Sequence, residues 1–386
     1  MPVAPPAIGH VEVTAVRTSS DRAAFMELPY RLHRHLPLWV PPLRGELRAL
    51  LDPRRNPFFG HAEVRLFLAR RRGEVVGRIA AHTNPRFEEH HGCSTGFFGF
   101  FDTIDDVTVA RALADAAATW LGGHSRPTML GPVSFTTNDE CGLLVDGFDQ
   151  RPAVMMPYTP AYYPRLLERT GFTTAKDLLA WEFPTTLHED PGLTRAAARL
   201  ARGRALTVRR VDLRRFAEEA ELIRTLYNDA LGDNWGVCPF ERNEFGILAR
   251  RLKPFLCPDL VVIGQVDGRP AGFGLALPDI ARALAAARGG LFTCGLPLGL
   301  ARFLFARRRL DRARLVAMGV SEEHRGRGLE LLMYLALSKA AHDRGMTTTE
   351  ASWVLEDNHH VNAATTRVGG RVTKRYRLYS RPVPTR

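Results

Sequence analysis

The chain reads as an α/β protein made of two tandem copies of one mixed-sheet unit. Three observations predict this. Two hairpin signatures recur, RLFLARRRGEVVGRIAAH at 65–82 and LVVIGQVDGRPAGFGLALPD at 260–279. Each is followed by the same order of strand, Ala/Leu-rich helix, strand and short helix. A length of 386 residues also exceeds what one ordinary core organises.

The elements follow in order. Period-2 alternation, with Arg72-Gly73 and Asp267-Gly268 at the turns, predicts the hairpins, and Gly77 falls on Gly272. GFFGFFDTI and RLVAMGV are the next strands, and VARALADAAATWL and LELLMYLALSKAAHDRG the helices after them. LGPVSFTTNDE and TEASWVLEDN are strands with polar ends, placing Asn138 on Asn358. YYPRLLERTGF and TRVGG close the copies, placing Gly171 on Gly369. Each copy carries one insertion, 141–158 in the first and about 280–310 in the second. PTTLHEDPGL resembles a linker, so the expected domains are 1–190 and 205–386 with the boundary near 184–205. This order predicts a mixed sheet with helices on its faces and a ligand where strand ends diverge. Phe97, Phe98, Phe100 and Phe101 alternate poorly and are expected to fill both sheet faces; an acyl-chain tunnel is the alternative.

Composition narrows the partners. The net charge of +12 fits an anionic ligand or surface, but only Lys176, Lys253, Lys339 and Lys374 are lysines. Such an arginine bias reads as genome composition rather than a binding patch, and nucleic acid is not favoured. The five cysteines are dispersed, with neither disulfide nor zinc spacing. MPVAPPAIGHVEVTAVR lacks a signal-peptide pattern, so a bacterial cytoplasm is expected. GGLFTCGLPLGLARFLFARRR (289–309) contains Pro297 and Arg302 and is too interrupted to span a bilayer. It reads as a core-packing helix with a basic end or as an interfacial helix giving peripheral membrane contact. His82, Glu88, Glu89, His90 and His91 match no metal-ligand pattern; a solvated loop and no metal are expected.

The sharpest motif is SEEHRGRGLELL (321–332), with Arg325-Gly326-Arg327-Gly328 between a strand and a helix. Unpaired N–H groups at a helix start favour an anion, and glycine permits close approach. Glu330 opposes that charge, so it is expected to point sideways to Arg325 or Arg327. The first copy has Asp102-Thr103-Ile104-Asp105-Asp106 at this place, an acidic turn that would repel phosphate.

Arg325-Gly326-Arg327-Gly328-Leu329 resembles the pyrophosphate loop of the GNAT superfamily of acyl-CoA N-acyltransferases. Asn358 and Gly369 fit that family's later helix, whereas Thr365 stands where a tyrosine is expected. NPFFGHAEVRLFLA, NDECGLLVDGFD, MMPYTPAYY, GFTTAKDLLAWEF and KRYRLYSRP extend the likeness to the tandem GNAT branch that includes bacterial ceramide synthase.

The resemblance implies an acyl-CoA (or acetyl-CoA) donor and a primary amine acceptor, such as a lipid or sphingoid-type amine. Residues 325–329 would hold pyrophosphate, the strand near Met318 and Val320 the pantetheine arm, and Asn358 would join the cofactor site or cap its helix. The first copy, lacking the loop, is expected to be a degenerate domain. Proton removal from an ammonium requires a base. The candidates are Glu356 and Asp357, with Glu140 and Asp139 at the matching place in the first copy; Glu350 and His82 are further candidates. Tyr158 or Tyr334 would protonate the thiolate in place of the missing tyrosine. A tRNA-dependent aminoacyl transferase and a non-catalytic GNAT-fold binding protein are the alternatives.

Overall fold

The computed structural model describes residues 10–292 and 295–384. They form two compact units, each discontinuous in sequence. Unit 1 takes the described residues up to Val145, Pro157–Lys176 and those from Arg377 onward; unit 2 takes Asp146–Met156 and Asp177–Tyr376. The linear division at 1–190 and 205–386 does not coincide with them.

Unit 1 begins with β1 (Val11–Ala15), α1 (Ser19–Leu32), α2 (Arg44–Leu50), β2 (Val64–Arg71), β3 (Glu74–His82), α3 (Pro85–His91) and β4 (Thr95–Thr103). It continues with α4 (Val107–Gly123), β5 (Thr128–Gly131), β6 (Leu143–Asp146) and α5 (Tyr163–Arg169). The chain then enters β7 (Thr173–Pro184), within which it leaves the unit. Arg72 and Gly73 both have positive φ, the mirror-image turn that matches strand twist in a two-residue hairpin. Asp106 caps α4, accepting from the Thr108 N–H at 2.7 Å. Leu113, Ala114, Ala117 and Leu121 then bury one stripe of α4 on the sheet. The opposite face carries Phe25, Leu47, Phe58, Phe100 and Phe135.

The phenylalanine run does fill both faces, and its poor alternation has a cause. Ala80 pairs Gly99 and Arg78 pairs Asp102, so Phe100 and Phe101 together oppose Ile79. Phe100 takes φ +48°, and this bulge reverses the phase of β4. The parallel pairing of β4 with β5 ends just before it, at Phe97 and Leu130.

Unit 2 contains the rest of β7, α6 (Pro191–Arg204), β8 (Leu206–Arg210), α7 (Phe216–Leu231), α8 (Arg242–Leu252), β9 (Val261–Val266) and β10 (Arg269–Pro278). After these come α9 (Ala281–Ala287), α10 (Leu298–Arg307), β11 (Arg312–Val320), α11 (Leu329–His342), β12 (Thr348–Leu355), α12 (His359–Arg367) and the start of β13 (Arg371–Pro382), which passes into unit 1 at Arg377. Its sheet runs β7-β12-β11-β10-β9-β8. The bulge recurs: Leu275 pairs Ala317 and Ala276 pairs Leu315, leaving Val316 over. Parallel pairing of β11 with β12 stops at Leu315 and Ala351. A bulge bends its strand, so β11 leaves β12 here.

Three expectations are corrected. The segment 184–205 is no linker: after a short 3-10 turn at Thr185–Glu189 it forms α6, and Leu187 and Ala197 enter the unit 2 core. LGPVSFTTNDE is strand only to Gly131, because Pro132 has no N–H to continue a ladder. HTNPRFEEHH is not a loop; Asn84 caps α3 by accepting from the Phe87 N–H, and Glu88 pairs Arg126.

Unit 2 also buries charge. The Lys374 ammonium donates to Glu350 Oε2 at 2.7 Å, and both side chains are essentially inaccessible to solvent. Arg312 bridges Asp279 and Glu350 and reaches the Arg151 carbonyl. Arg314 donates to Ser352 and to the Val154 carbonyl, while the Val154 N–H donates to Asp279. Residues 151–154, from the first copy's insertion, are thereby tied into unit 2. Replacing Lys374 by Met leaves Glu350 buried with only the longer 3.4 Å contact to Arg312, an expected loss of about 3 kcal/mol in urea unfolding. The double variant Lys374→Met/Glu350→Leu should recover most of that loss.

Candidate functional site

The loop after β11 is built from glycine conformations and one clamp. A single 3-10 turn, Glu322–His324, leads to Gly326 at φ +71° and Gly328 at φ +91°. A Cβ on Gly328 would lie 2.5 Å from Leu200 Cδ1, so glycine lets α6 seat against the loop. From α6, Arg204 donates to the carbonyls of Arg327 at 2.8 Å and Gly326 at 3.4 Å. In a trans peptide the N–H opposes the carbonyl. The N–H groups of Arg327 and Gly328 therefore point away from Arg204. They adjoin the start of α11, where no side chain caps the first turn and the first helical bond runs from Leu332 N–H to Gly328 O. The result is an exposed row of donors suited to a diphosphate.

The charges around it differ from expectation. Arg325 is committed to protein, donating to the carbonyls of Ala230 at 2.8 Å and Val320 at 3.4 Å. Arg327 is exposed. Glu330 pairs with neither arginine among the described residues. Its charge instead bears on Tyr334, one turn on, whose hydroxyl is pushed up to about 12, chiefly by burial. Tyr334 packs on Phe183 within the α11 core, so it is no proton donor at the loop.

The strand edge beside the loop is open. Beyond Val316, β11 keeps its pairing with β10 through Met318 and Val320 but has lost β12. The equivalent place in unit 1 is closed by its own backbone. Val133 N–H donates to the Phe98 carbonyl at 2.7 Å, and a Cβ on Gly99 would lie 2.1 Å from the Val133 carbonyl. The acidic turn there is also neutralised: Asp102 pairs Arg78, Asp105 pairs Arg165, and Asp106 pairs Arg71.

The predicted acids are not equivalent. Glu356 is committed to Arg375, which also holds Asp177 at 3.0 Å. Asp357 is exposed on the turn before α12, its carbonyl accepting from the His359 N–H. Asn358 caps α12, accepting from Val361 N–H at 3.2 Å. Glu350 is locked to Lys374. Thr365 gives its hydroxyl to the Val361 carbonyl, one helical turn back. Tyr158 is half-buried in unit 1. His82 is wholly buried and accepts no role as a base: burial lowers it to about 3, against the opposing pull of the Phe135 carbonyl.

Glu140 stands apart. Its carboxylate makes no hydrogen bond among the described residues, and its surface is open to water although protein crowds it. Crowding by protein raises it to about 7; Asp102 and Asp139 add to the rise, while Arg78 and His33 oppose it. Behind it is a group that sequence reasoning missed. His33 Nε2 lies 2.7 Å from Asp102 Oδ1, Arg78 Nε donates to Asp102 Oδ2 at 2.7 Å, and the Tyr163 hydroxyl donates to Asp102 Oδ1 at 3.2 Å. Burial alone would raise Asp102, but Arg78 and His33 hold it well below the carboxylate range. The signal was the Arg78–Asp102 cross-strand pair, readable once the hairpin is extended to β4.

Comparison with known proteins fits this geometry. No family model matches the chain. A tandem GNAT protein from the clavulanic acid biosynthesis pathway superposes with a TM-score of 0.54 at 15% identity, covering 97% of this chain and 99% of that one. A GCN5-related N-acetyltransferase from Sphaerobacter thermophilus gives 0.51 at 14% identity, covering 97% and 96%. The bacterial ceramide synthase of Caulobacter vibrioides is 35% identical over 378 residues, 96% of this chain and 97% of that protein. This chain belongs to the tandem GNAT superfamily, in the branch of that synthase. Escherichia coli protein YghO, 34% identical over 371 residues, covers 94% of this tandem GNAT chain and 93% of its own. Because Arg204 holds the loop carbonyls, Arg204→Ala should loosen residues 326–329, read as faster hydrogen exchange of the Arg327 and Gly328 amides with little change in melting temperature.

Proposed function

We propose that this tandem GNAT protein is an acyl-CoA-dependent N-acyltransferase acting on a primary amine of lipid character. One observation carries the reading: in unit 2 the donor row at 326–329 adjoins the edge of β11 freed by the Val316 bulge. The diphosphate of CoA occupies residues 325–329, with Arg327 as the exposed cation. The pantetheine arm extends the sheet along the backbone of 316–320, β-strand style, so Met318 and Val320 contribute main-chain groups rather than side chains. Unit 1, whose matching gap is closed, is the one without CoA. A neutral amine attacks the thioester carbonyl, the C–N bond forms, the C–S bond breaks, and the thiolate takes up a proton. Backbone N–H groups at the freed strand edge stabilise the oxyanion.

The lipid character of the acceptor rests on the 35% likeness to a protein named as a ceramide synthase and on one surface. Among the described residues the exposed large hydrophobics are Phe292, Leu296, Leu298, Leu304, Phe305 and Val372, so all but one fall between 292 and 305. From 280 to 310 the sequence has arginines at 282, 288, 302, 307, 308 and 309 and no acid. No helix among the described residues is long and apolar enough to cross a membrane. An apolar patch rimmed by arginines suits a peripheral contact with anionic lipid at the inner membrane face. Phe303 is buried and packs near Phe255, so the helix both docks on its own unit and exposes Leu304 and Phe305. Residues 293 and 294 of this segment lie outside those described.

Purified protein should bind CoA by calorimetry and release free thiol from an acyl-CoA only when a primary amine is added. Arg327→Glu should weaken CoA binding by roughly tenfold or more. No CoA binding by the well-folded protein would remove the reading. In co-sedimentation, the protein should follow phosphatidylglycerol vesicles over phosphatidylcholine ones, and Phe292→Ser/Phe305→Ser should stay in the supernatant.

A further inference from the structure

We infer that unit 2 carries a surface zinc site, with His188, Glu189 and His342 as ligands, that staples the turn before α6 to the end of α11. All three residues belong to unit 2, and the inference is independent of the proposed activity.

The ligands come from two elements that already pack together. His188 and Glu189 end the 3-10 turn Thr185–Glu189, and His342 is the last residue of α11. The Ser338 hydroxyl donates to the Thr185 carbonyl at 2.6 Å, which fixes the turn to α11 one helical turn before His342 and on the same face. The rings of His188 and His342 lie with centroids 5.1 Å apart, and His342 Nε2 is 3.8 Å from Glu189 Oε1. One ligand atom from each of the three residues lies within 4.8 Å of the other two. Among the described residues this is the one group of three His, Cys, Asp or Glu side chains so arranged.

Hydrogen bonding settles which atom His188 offers. Its Nδ1 lies 3.0 Å from the Thr185 carbonyl, which can only accept, so Nδ1 carries the proton and Nε2 presents a lone pair. A carbonyl on the far nitrogen is what fixes the tautomer and direction of a metal-bound imidazole. Tetrahedral zinc, with bonds of about 2.0–2.1 Å, holds its ligand atoms about 3.4 Å apart. Closing the set from 4.8 Å asks a shift of about 1.4 Å, shared between Glu189 and His342. Both of those side chains are exposed and able to turn while His188 stays on its carbonyl. Two imidazoles and a carboxylate suit zinc, and a water completes the tetrahedron. The carbonyl end of α11 favours a cation as well. Asp343 adjoins the set, but Lys339 holds both its oxygens at 2.9 Å, so it supplies charge rather than a ligand. What the staple fixes is the entry to α6, which starts at Pro191 and carries Leu200 and Arg204 to the loop at 326–329.

The test uses the full chain, stripped of metal with a chelator, and zinc chloride alone as ligand. Wild type should bind one tight equivalent by calorimetry and melt roughly 3 °C higher with free zinc about a hundredfold above its Kd. Zinc should also slow hydrogen exchange of the Asp190 amide, which donates to the Leu187 carbonyl across the turn. His342→Ala and Glu189→Gln change exposed side chains, so each should melt like metal-free wild type; each should lose zinc affinity by about tenfold or more. Cobalt in place of zinc should give the visible bands of a tetrahedral centre without a thiolate charge-transfer band. His90→Ala/His91→Ala, which removes the adjacent histidine pair on α3, should bind zinc as wild type does. No zinc binding by wild type, or binding that His342→Ala and Glu189→Gln leave unchanged, overturns the inference. A thiolate band, or loss of binding in His90→Ala/His91→Ala, places the metal elsewhere and overturns it too. Zinc that binds these residues without slowing exchange in the turn overturns the staple.

Discussion

The site depends on a single surplus residue in a strand. Where β11 carries Val316 unpaired, it turns away from β12 and exposes main-chain groups that a continuous parallel ladder would have consumed. Everything else near the loop adapts to that divergence. The glycine at 328 lets α6 approach, Leu200 fills the contact, and Arg204 holds the loop carbonyls so that the N–H groups face outward. Unit 1 repeats the surplus at Phe100 and Phe101 but then fills the gap with 131–135. The same backbone event serves two ends. In one copy it leaves an edge to a ligand; in the other it supplies the shelf on which Glu140 rests.

Polarity is distributed unequally between the copies. Unit 2 buries Lys374, Glu350, Arg312, Arg314 and Asp279 as a linked set with the backbone of 151–154, although one oxygen of Glu350 has no hydrogen-bond partner among the described residues. Such a set locks a segment into place. Unit 1 keeps a set of the same kind around Asp102, with unsatisfied atoms at His33 and Thr103.

Most of the architecture was legible because periodicity and turn chemistry are local. Both hairpins, both Ala/Leu helices and the repeat itself follow from alternation, Arg72-Gly73 and Asp267-Gly268, and the loop follows from its glycines. The errors had physical causes. α6 was read as a linker since DPG signals a turn, yet Asp190 with Pro191 is also how a helix begins, and Asp190 does cap it. Glu356 and Asp357 stand out by position, but the ion pair of Glu356 with Arg375 was not legible in the sequence. The His33–Asp102–Arg78 group was invisible because His33 comes from a helix before the repeat begins. Glu140 was named from sequence, yet nothing local told its environment from that of Asp139.

The path of β7 and β13 has a consequence for synthesis. Each strand starts in one compact unit and ends in the other, and Tyr379 to Pro382 pair with β5, more than two hundred residues upstream. The first copy emerges from the ribosome without the strand that borders β5, and that sheet edge stays unpaired until residues 379–382 have been made. Neither copy is then an autonomous folding module. Truncation before Tyr379 would strip a strand from the half of the protein that was made first.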